Sequence, residues 1–401
     1  MPYTPAMNAS IGPDLLDAAR GLQDTTIELR RSIHAEPEIG LQLPMTQQKI
    51  VDAITGLGLD ITLGKSTTSV VADLDSGKPG PTVLLRGDMD ALPLQEDYES
   101  DFKSTIDGAM HACGHDMHVA MLASAAQLLS ENTDEFTGKV RFMFQPGEEG
   151  YHGARYMIEE GVLDGVDRAF AIHVTSSVPN GLIGSRGGPL LASADRFEVN
   201  VLGGGGHASA PHNCIDPIPP AAAMVGGFQT ILTRDLDPSQ SAVITVAHIE
   251  AGTTNNIIPA SAFLEGTIRT FDEDVRSTIH EGINRVSTST AAAHRCSCNT
   301  EIIPGYPVTV NNQEQAELAA ATTEQLLGAE SFLWMDQPIF AAEDFSYVLN
   351  QVPGAMAMLG VCPDDMSPAE AEPNHSNLVR FNESALYNGV GLYAGMVMNN
   401  G

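Results

Sequence analysis

Val83-Leu-Leu-Arg86 and Lys139-Val-Arg-Phe-Met-Phe144 are two short apolar runs, and the stretch from Asp116 to Ser130 between them has a helical pattern. Apolar runs of this length, bounded by turn residues, predict buried strands. A strand, a helix and a second strand in succession indicate an α/β fold. Arg168-Ala-Phe-Ala-Ile-His173 predicts a further strand with His173 at its carboxyl end. In open α/β sheets, functional sites are built at that edge.

The pattern changes after Gly187-Gly188-Pro189. Arg196-Phe-Glu-Val-Asn-Val-Leu202 alternates like a half-exposed strand, a helical pattern follows at about 217–232, and two more strand patterns lie at 241–249 and 262–270. This order predicts a smaller antiparallel α+β unit, which we expect to be ferredoxin-like.

The alternation of helices and strands returns from about Pro307, with a strand at Ala355-Met-Ala-Met-Leu359 and a last helix from Glu383 to Val397. We therefore predict one catalytic domain formed by 1–189 and 306–401, interrupted by an inserted domain at 190–305. A chain of 401 residues with 43% hydrophobic content is long and apolar enough for two domains.

The composition is strongly acidic, with 20 Lys and Arg against 51 Asp and Glu and a net charge of −31. Such a field repels polyanions, which argues against nucleic acid and anionic membranes as partners. Any anionic substrate needs dedicated cations in its site.

Met1–Ser10 lacks the basic start and apolar core of a signal peptide, and no apolar stretch is long enough for a membrane span. The cysteines are odd in number and scattered, which fits a reducing compartment, so we expect a cytoplasmic protein. They are Cys113, Cys214, Cys296, Cys298 and Cys362. Cys296-Ser-Cys298 has no second pair to complete a metal site, and we interpret it as structural.

Gly108-Ala-Met-His-Ala-Cys-Gly-His-Asp116 concentrates groups that bind metals, and Gln145-Pro-Gly-Glu-Glu149 follows it. Thiolate and imidazole suit zinc-like ions. Of two adjacent carboxylates with diverging side chains, Glu148 and Glu149, one can bind metal while the other serves as general base. Together the two segments predict a metal-dependent hydrolase.

Cys113 and His115 are close enough in sequence to bind one metal centre from an irregular loop. Three neighbouring residues are candidates to orient these ligands: His111, Asp116 and His118. His173 and His375 are also candidate ligands, because both are predicted to lie at sheet edges.

These motifs resemble the aminoacylase-like metal-dependent amidohydrolases, a metallopeptidase family with hippurate hydrolases, bacterial N-acyl-amino-acid amidohydrolases and plant hydrolases of auxin–amino-acid conjugates. The resemblance spans nearly the whole chain. Its markers are, in order, Arg30-Arg-Ser-Ile-His34, Arg86-Gly-Asp-Met-Asp-Ala-Leu-Pro93, Met110-His-Ala-Cys-Gly-His-Asp116, Gln145-Pro-Gly-Glu-Glu149, Gly205-Gly-His-Ala208 with Pro211-His212, Glu343-Asp-Phe345 and His375.

The resemblance implies a mixed-sheet, zinc-peptidase-like catalytic domain with two divalent metal ions, zinc or manganese, with cobalt or nickel as further candidates. The implied metal ligands are Cys113, His115, Glu149, His173 and His375. Cys113 is expected to bridge the ions, and Glu148 to act as general acid and base. Asp90 matches an aspartate that orients the first histidine in the wider clan, although Asp88 stands where a histidine is usual; we expect Asp90 to support rather than ligate.

The resemblance further implies that the inserted domain is a lid that mediates a homodimer. His207, after Gly203–Gly206, matches a histidine that helps stabilise the tetrahedral oxyanion in the partner's site, and the glycines are expected to let the backbone approach substrate closely. Arg269 and Asn256 resemble positions that hold the substrate's α-carboxylate. In so acidic a chain, Arg269 is the cation expected to bind it in bidentate fashion.

The chain departs from the family pattern away from the expected ligands. His34-Ala-Glu-Pro-Glu38 replaces a common His-x-His-Pro-Glu, the glycine run lacks a common lysine, and His375-Ser-Asn377 replaces a proline-containing tail. These differences bear on fine specificity rather than on the reaction.

We therefore expect an amidohydrolase that cleaves a small N-acyl amino acid to a carboxylate and a free amino acid. Water activated by metal and deprotonated by Glu148 attacks the amide, and Glu148 then protonates the leaving amine. One alternative is a dipeptidase or carboxypeptidase with the same site. Another is a non-catalytic binding protein, against which the complete set of ligands argues.

Overall fold

The computed structural model describes residues 11–399, and the chain divides into two compact units. The first comprises the described residues up to Leu190, Val310–Gln337 and the chain from Asp344 onward; the second comprises Leu191–Thr309 and Pro338–Glu343. The sequence predicted that the chain enters the inserted domain after residue 189 and leaves it after residue 305. In the structure the corresponding boundaries follow residues 190 and 309. It also places 338–343 in the second unit, where Ala192 donates its backbone N–H to the Ala341 carbonyl at 2.8 Å.

Between residues 11 and 399 the chain forms ten α-helices: α1 (Pro13–Gly21), α2 (Gln23–His34), α3 (Pro44–Ile54), α4 (His115–Ser130), α5 (Gly153–Glu159), α6 (Ile218–Arg234), α7 (Glu273–Ala293), α8 (Gln313–Leu327), α9 (Ser346–Leu349) and α10 (Leu386–Met398). Short 3-10 helices lie at Thr133–Glu135, Pro211–Asn213 and Glu383–Ala385. No helix in this part of the chain is both long and apolar enough to cross a bilayer.

The same residues form sixteen strands: β1 (Asp60–Leu63), β2 (Val70–Asp75), β3 (Thr82–Asp88), β4 (Lys139–Gln145), β5 (Arg168–Thr175), β6 (Ile183–Ser185), β7 (Gly188–Leu191), β8 (Asp195–Leu202), β9 (Gly206–His207), β10 (Ala242–Ala251), β11 (Ile257–Ile258), β12 (Ser261–Thr270), β13 (Ser297–Ile303), β14 (Thr309–Asn311), β15 (Phe332–Trp334) and β16 (Gly354–Gly360).

The first unit is built on a mixed eight-stranded sheet in the order β1-β2-β4-β3-β5-β16-β6-β15. β4, β3, β5 and β16 are parallel neighbours, whereas β1, β2 and β4 pair antiparallel. The carboxyl ends of the four parallel strands therefore meet at one edge, where an α/β sheet places its site.

α4 is buried on nearly all sides, and most of its side chains are apolar. It packs on β3 and against α2 and α10, and the run from Met117 to Ala126 is fully buried. Close packing with α10 depends on Gly389, since a side chain there would collide with the Met121 sulfur. The α/β fold expected from the sequence is confirmed.

The second unit contains an antiparallel sheet in the order β10-β12-β8-β13, with α6 and α7 as its helices. The chain order β8-α6-β10-β12-α7-β13 with this sheet order is the ferredoxin-like topology. Alternate residues of β8, namely Phe197, Val199 and Val201, share a buried core with Met224 and Phe228 of α6. The expected smaller α+β unit is thus present.

Candidate metal centre and active site

The expected ligands converge at the carboxyl edge of the parallel strands of the first unit. Cys113 lies two residues before α4 and His115 is its first residue. Glu149 follows β4, His173 lies in β5 and His375 lies in the segment between β16 and the last 3-10 helix. Their potential ligand atoms form two groups, Cys113 with His115 and His173, and Cys113 with Glu149 and His375. Within each group the atoms lie within 4.8 Å of one another.

Cys113 is common to both groups. Its Sγ lies 3.4 Å from Nε2 of His173 and 3.3 Å from Nε2 of His375. Nε2 of His375 also lies 3.3 Å from Oε1 of Glu149. The structure therefore brings all five expected ligands together around one thiol.

Gly114 allows two ligands to flank a tight turn. It caps α4 with a φ of 84°, a left-handed conformation that glycine adopts without steric cost. A side chain at this position would also collide with Val174. Cys113 and His115 consequently reach the same centre although they are separated by one residue.

Hydrogen bonds to backbone carbonyls orient two of the imidazoles. His115 donates Nδ1–H to the Asp90 carbonyl at 2.8 Å, and His173 donates Nδ1–H to the Val174 carbonyl at 2.7 Å. In each neutral ring the lone pair is then on Nε2, the nitrogen that belongs to the ligand group. Metal-binding histidines commonly have their other nitrogen fixed in this way.

Two buried atoms of the cluster indicate that the donor set fits a cation. Among residues 11–399, no hydrogen-bond partner reaches His115 Nε2 or Glu149 Oε1, although both atoms are shielded from solvent. Buried polar atoms are rarely left without a partner in folded proteins. Thiolate, imidazole and carboxylate are ligands of zinc and of neighbouring divalent ions, so a metal would satisfy both atoms.

The electrostatics of the cluster favour positive charge. Burial alone would raise the pKa of the Cys113 thiol, but the His115 and His173 imidazoles outweigh burial and bring that pKa to about 5. Close contacts with Cys113 and Glu149 raise the pKa of His375 to about 10. Cys113 and Glu149 thus hold a proton on the His375 imidazole, and a divalent ion can take the place of that proton.

Glu148 is held next to the ligands by a rigid loop. Its side chain is buried, 5% exposed, and its carboxylate lies within 4.8 Å of the ligand atoms of His115 and Glu149. The Asp90 carboxylate accepts the backbone N–H groups of Glu148 and Glu149, at 2.9 and 3.0 Å. The Asp90 carbonyl orients His115, whereas its carboxylate fixes this loop, a role that the sequence did not reveal.

A buried polar network lies beneath the cluster. Arg86 contacts the carboxylates of both Asp88 and Asp344, the latter at 3.0 Å, and Asp88 also accepts Nδ1–H of His118. Gln145 donates to Asp344 at 2.7 Å. Asp88 and His118 lie near His115, but their polar atoms are already engaged in these bonds. The role of Arg86 was not predicted from the sequence, although a charged residue inside an apolar strand is a signal of such a role.

Asp116 and His111, two of the residues expected to orient the ligands, differ in their hydrogen bonds. Asp116 forms a buried ion pair with Arg30 at 2.7 Å and contacts His34 at 2.8 Å, which anchors the first turn of α4 to α2. His111 is also buried, but in the described chain neither of its ring nitrogens has a hydrogen-bond partner. Burial is the main cause that lowers the His111 pKa to about 3.

The remaining expected site residues belong to the second unit. His207 lies on β9, which pairs with β11, and Ala208 donates its N–H to the Asn256 carbonyl at 3.1 Å, so His207 and Asn256 are close. Nδ1 of His207 accepts the Ser209 N–H at 3.2 Å, which places the proton of the neutral ring on Nε2. His207 is exposed and offers that N–H to solvent.

Arg269, on β12, is half-buried and its guanidinium contacts neutral oxygens, the Thr267 hydroxyl at 2.7 Å and the Ile268 carbonyl at 3.0 Å. Burial lowers its pKa. The glycine run before His207 serves chain packing, since a side chain at Gly203 would collide with the Ile215 carbonyl. This contact is enough to explain the glycine at position 203. The close approach of the backbone to substrate that the sequence led us to expect is not needed to explain it.

The family model described as peptidase family M20/M25/M40 matches residues 84–399. The chain belongs to this family. Membership and the named hydrolases among its relatives establish an amide-bond hydrolase, and the cluster supports divalent metal ions as its cofactors.

Three curated relatives illustrate the range of the M20/M25/M40 family. Thermostable carboxypeptidase 2 of Saccharolobus solfataricus is 39% identical over 93% of this chain and 94% of its own length. IAA-amino acid hydrolase ILR1-like 2 of Arabidopsis thaliana is 37% identical over 99% and 90%. N-acetyl-L-cysteine deacetylase of Bacillus subtilis is 38% identical over 86% and 82%.

Two solved structures are similar in fold over nearly the whole chain. An aminohydrolase from methicillin-resistant Staphylococcus aureus aligns with a TM-score of 0.91 and 31% identity over 96% of this chain and 98% of its own. The YXEP protein of Bacillus subtilis, described as a dinuclear metal-binding peptidase, aligns with a TM-score of 0.83 and 32% identity over 94% and 98%.

Proposed function

We propose that the protein hydrolyses N-acyl amino acids to a carboxylate and a free amino acid. The observation that carries the proposal is the pair of ligand groups that share Cys113 beside the buried Glu148. Two relatives are named for this substrate class, an IAA-amino acid hydrolase and an N-acetyl-L-cysteine deacetylase. The half-buried Arg269 supplies a cation suited to the free carboxylate of such substrates.

Two divalent ions, zinc or manganese with cobalt or nickel as further candidates, would be held by Cys113, His115, Glu149, His173 and His375. When bound, they supply Lewis acidity that polarises the amide carbonyl and makes water a stronger acid. Metal availability decides the native ion as much as the ligand set does.

Glu148 carries the protons in the proposed mechanism. Its carboxylate removes a proton from the attacking water and later delivers that proton to the nitrogen of the leaving amine. Burial and the Asp90 contacts keep the Glu148 loop in one position, which suits a group that must act twice.

His207, Asn256 and Arg269, all in the second unit, are the residues proposed to bind substrate. His207 presents Nε2–H, the donor that a tetrahedral oxyanion requires. Asn256 and Arg269 hold the α-carboxylate of the substrate. We infer that the second unit forms a homodimer and brings His207 to the partner's site; β10 is an edge strand of its sheet with an exposed Ile249, a feature suited to pairing with a second copy.

The cysteines support a cytoplasmic location, because all five are free thiols. Such usage is ordinary where glutathione keeps thiols reduced. Expression of the chain with its native termini, followed by cell fractionation, tests this location.

A carboxypeptidase activity is the second candidate, favoured by the 39% identity to thermostable carboxypeptidase 2. The test is a panel of N-acetyl, N-benzoyl and N-indolylacetyl amino acids beside matched dipeptides and N-blocked dipeptides. The enzyme is first stripped with chelator and then reloaded with each metal. We expect N-acyl amino acids to have the highest kcat/KM; preferential cleavage of peptides would favour the carboxypeptidase, and no hydrolysis of either class by metal-loaded protein would overturn both.

A further inference from the structure

The two ligand groups differ in burial. His115 is fully buried and Cys113 is 7% exposed, whereas the His375 side chain is 55% exposed. His375 also has a φ of 72°, a left-handed conformation that strains a residue with a side chain. The group of Cys113, His115 and His173 is therefore more buried and less strained than the group of Cys113, Glu149 and His375.

His118 lies directly behind the more buried group. Its ring centroid is 4.7 Å from that of His173 and 5.4 Å from that of His115. It is fully buried on α4, one turn beyond His115. Its volume alone restricts where the two ligand rings can move.

The hydrogen bonds of His118 lead to His173 through one residue, Val174. Nε2 of His118 accepts the backbone N–H of Val174 at 2.8 Å, and the Val174 carbonyl accepts Nδ1–H of His173 at 2.7 Å. The other nitrogen of His118 donates to Asp88, which Arg86 contacts in turn. Both nitrogens of His118 are thus fixed, and the ring cannot rotate without breaking a buried bond.

We propose that His118 is a positioning residue that fixes His173 through the backbone N–H and carbonyl of Val174 and thereby makes the position of Cys113, His115 and His173 the tighter of two unequal metal positions. The inference rests on the proposed two-metal function and extends it with an order of loading. The buried position fills first and retains its ion. The position of Cys113, Glu149 and His375 fills second and exchanges with solvent.

The experiment is a titration of the full-length metal-free protein with Co²⁺. Binding is monitored by calorimetry and by the absorbance band of the thiolate–cobalt bond. Wild-type protein is expected to show two steps whose dissociation constants differ at least tenfold. His173→Ala should remove the tighter step and His375→Ala the weaker one. Equal affinities, or a tight step that survives His173→Ala and disappears in His375→Ala, would overturn the proposal.

Two variants of His118 test its role directly. His118→Phe keeps the ring volume but loses both hydrogen bonds, so the tighter dissociation constant should rise by about 10–100-fold while the weaker step is unchanged. His118→Gln keeps an acceptor for the Val174 N–H and should recover most of the affinity. Wild-type affinity in folded His118→Phe would contradict the positioning role.

The matched control is His280→Phe, because His280 also contacts a buried aspartate, Asp195 at 2.8 Å, but in the second unit. Both steps should be unchanged in this variant. Circular dichroism of each metal-free protein shows whether it is folded. If His118→Phe does not fold, the proposal is still tested by His118→Gln and by the assignment of the two binding steps with His173→Ala and His375→Ala. A wild-type protein that binds no Co²⁺ would refute the proposed metal function itself, a result distinct from two equal steps.

Discussion

The Asp90 side chain is hydrogen-bonded to the backbone of Glu148, because Oδ1 of Asp90 accepts the Glu148 N–H at 2.9 Å. The second oxygen of Asp90 accepts the N–H of Glu149 at 3.0 Å. One carboxylate therefore fixes two successive peptide groups whose side chains have different roles in the proposed mechanism. Asp90 thus holds in place the loop that carries both the expected base and an expected ligand.

Asp90→Asn should lower kcat more than it changes KM. The amide keeps one acceptor but presents an N–H group to a backbone N–H, so one buried donor loses its partner at a cost of about 2 kcal/mol. The unsatisfied donor should displace the loop that positions Glu148, and we expect this displacement to lower kcat on the order of a hundredfold. Steady-state kinetics with an N-acyl amino acid give the comparison, and an unchanged kcat would show that the clamp has no part in catalysis.

Glu148→Gln should abolish turnover while the protein keeps its fold and metal. The amide has nearly the same shape but cannot accept a proton, so the loss should be on the order of a thousandfold or more. Metal analysis and circular dichroism of the same preparation serve as controls. Activity near that of the wild type would assign the base to another residue.

His207→Ala should cost about 3 kcal/mol of transition-state stabilisation and leave the metal content unchanged, because only an oxyanion donor is lost. Mixing inactive His207→Ala with inactive Glu148→Gln subunits tests where His207 acts. A mixed dimer has one site with both groups intact, so partial activity should return on co-refolding. Verified mixed dimers without activity would place His207 in its own subunit's site or outside catalysis.

The second unit should lose stability in acid through Asp195. Burial would raise the Asp195 pKa, but hydrogen bonds from Arg276 and His280 outweigh burial and lower it to about 2 from the ordinary 3.8. Because the folded-state pKa is depressed, the stabilisation is complete above about pH 4 and is lost as the pH falls through about 2.

Asp195→Asn should therefore destabilise the protein by about 2 kcal/mol at pH 7, since it removes the buried carboxylate that accepts two hydrogen bonds from Arg276 and leaves Arg276 paired with Glu273 alone. The difference from wild type should shrink below about pH 3, where Asp195 becomes protonated. Denaturant unfolding at several pH values measures this, with the exposed Glu250→Gln in the same unit as control. A pH-independent difference would contradict the account.

The sequence predicted the framework of the site because its residues lie at positions that topology fixes. Strand patterns ending near Gln145 and His173 placed Glu149 and His173 at one sheet edge, and the motif around Cys113 placed two ligands at the start of a helix. The structure brings these side chains together as expected.

Contacts between distant segments could not be predicted from periodicity. Nothing local indicated that the Asp90 carboxylate binds the Glu148 loop, or that Arg86 contacts Asp344 258 positions away along the chain. His118 was grouped with the orienting residues from its spacing, but its link to Val174 depends on how α4 packs against β5. Tertiary packing decides such bonds, and a single sequence does not encode them in any short pattern.

The most direct test of the central claim is anomalous diffraction from crystals of the wild-type protein loaded with Zn²⁺. We predict two peaks, each at about 2.3 Å from the Cys113 sulfur, one with His115 and His173 as its further ligands and the other with Glu149 and His375. A single peak, or peaks that do not share the Cys113 sulfur, would contradict the two-metal site on which the proposed function depends.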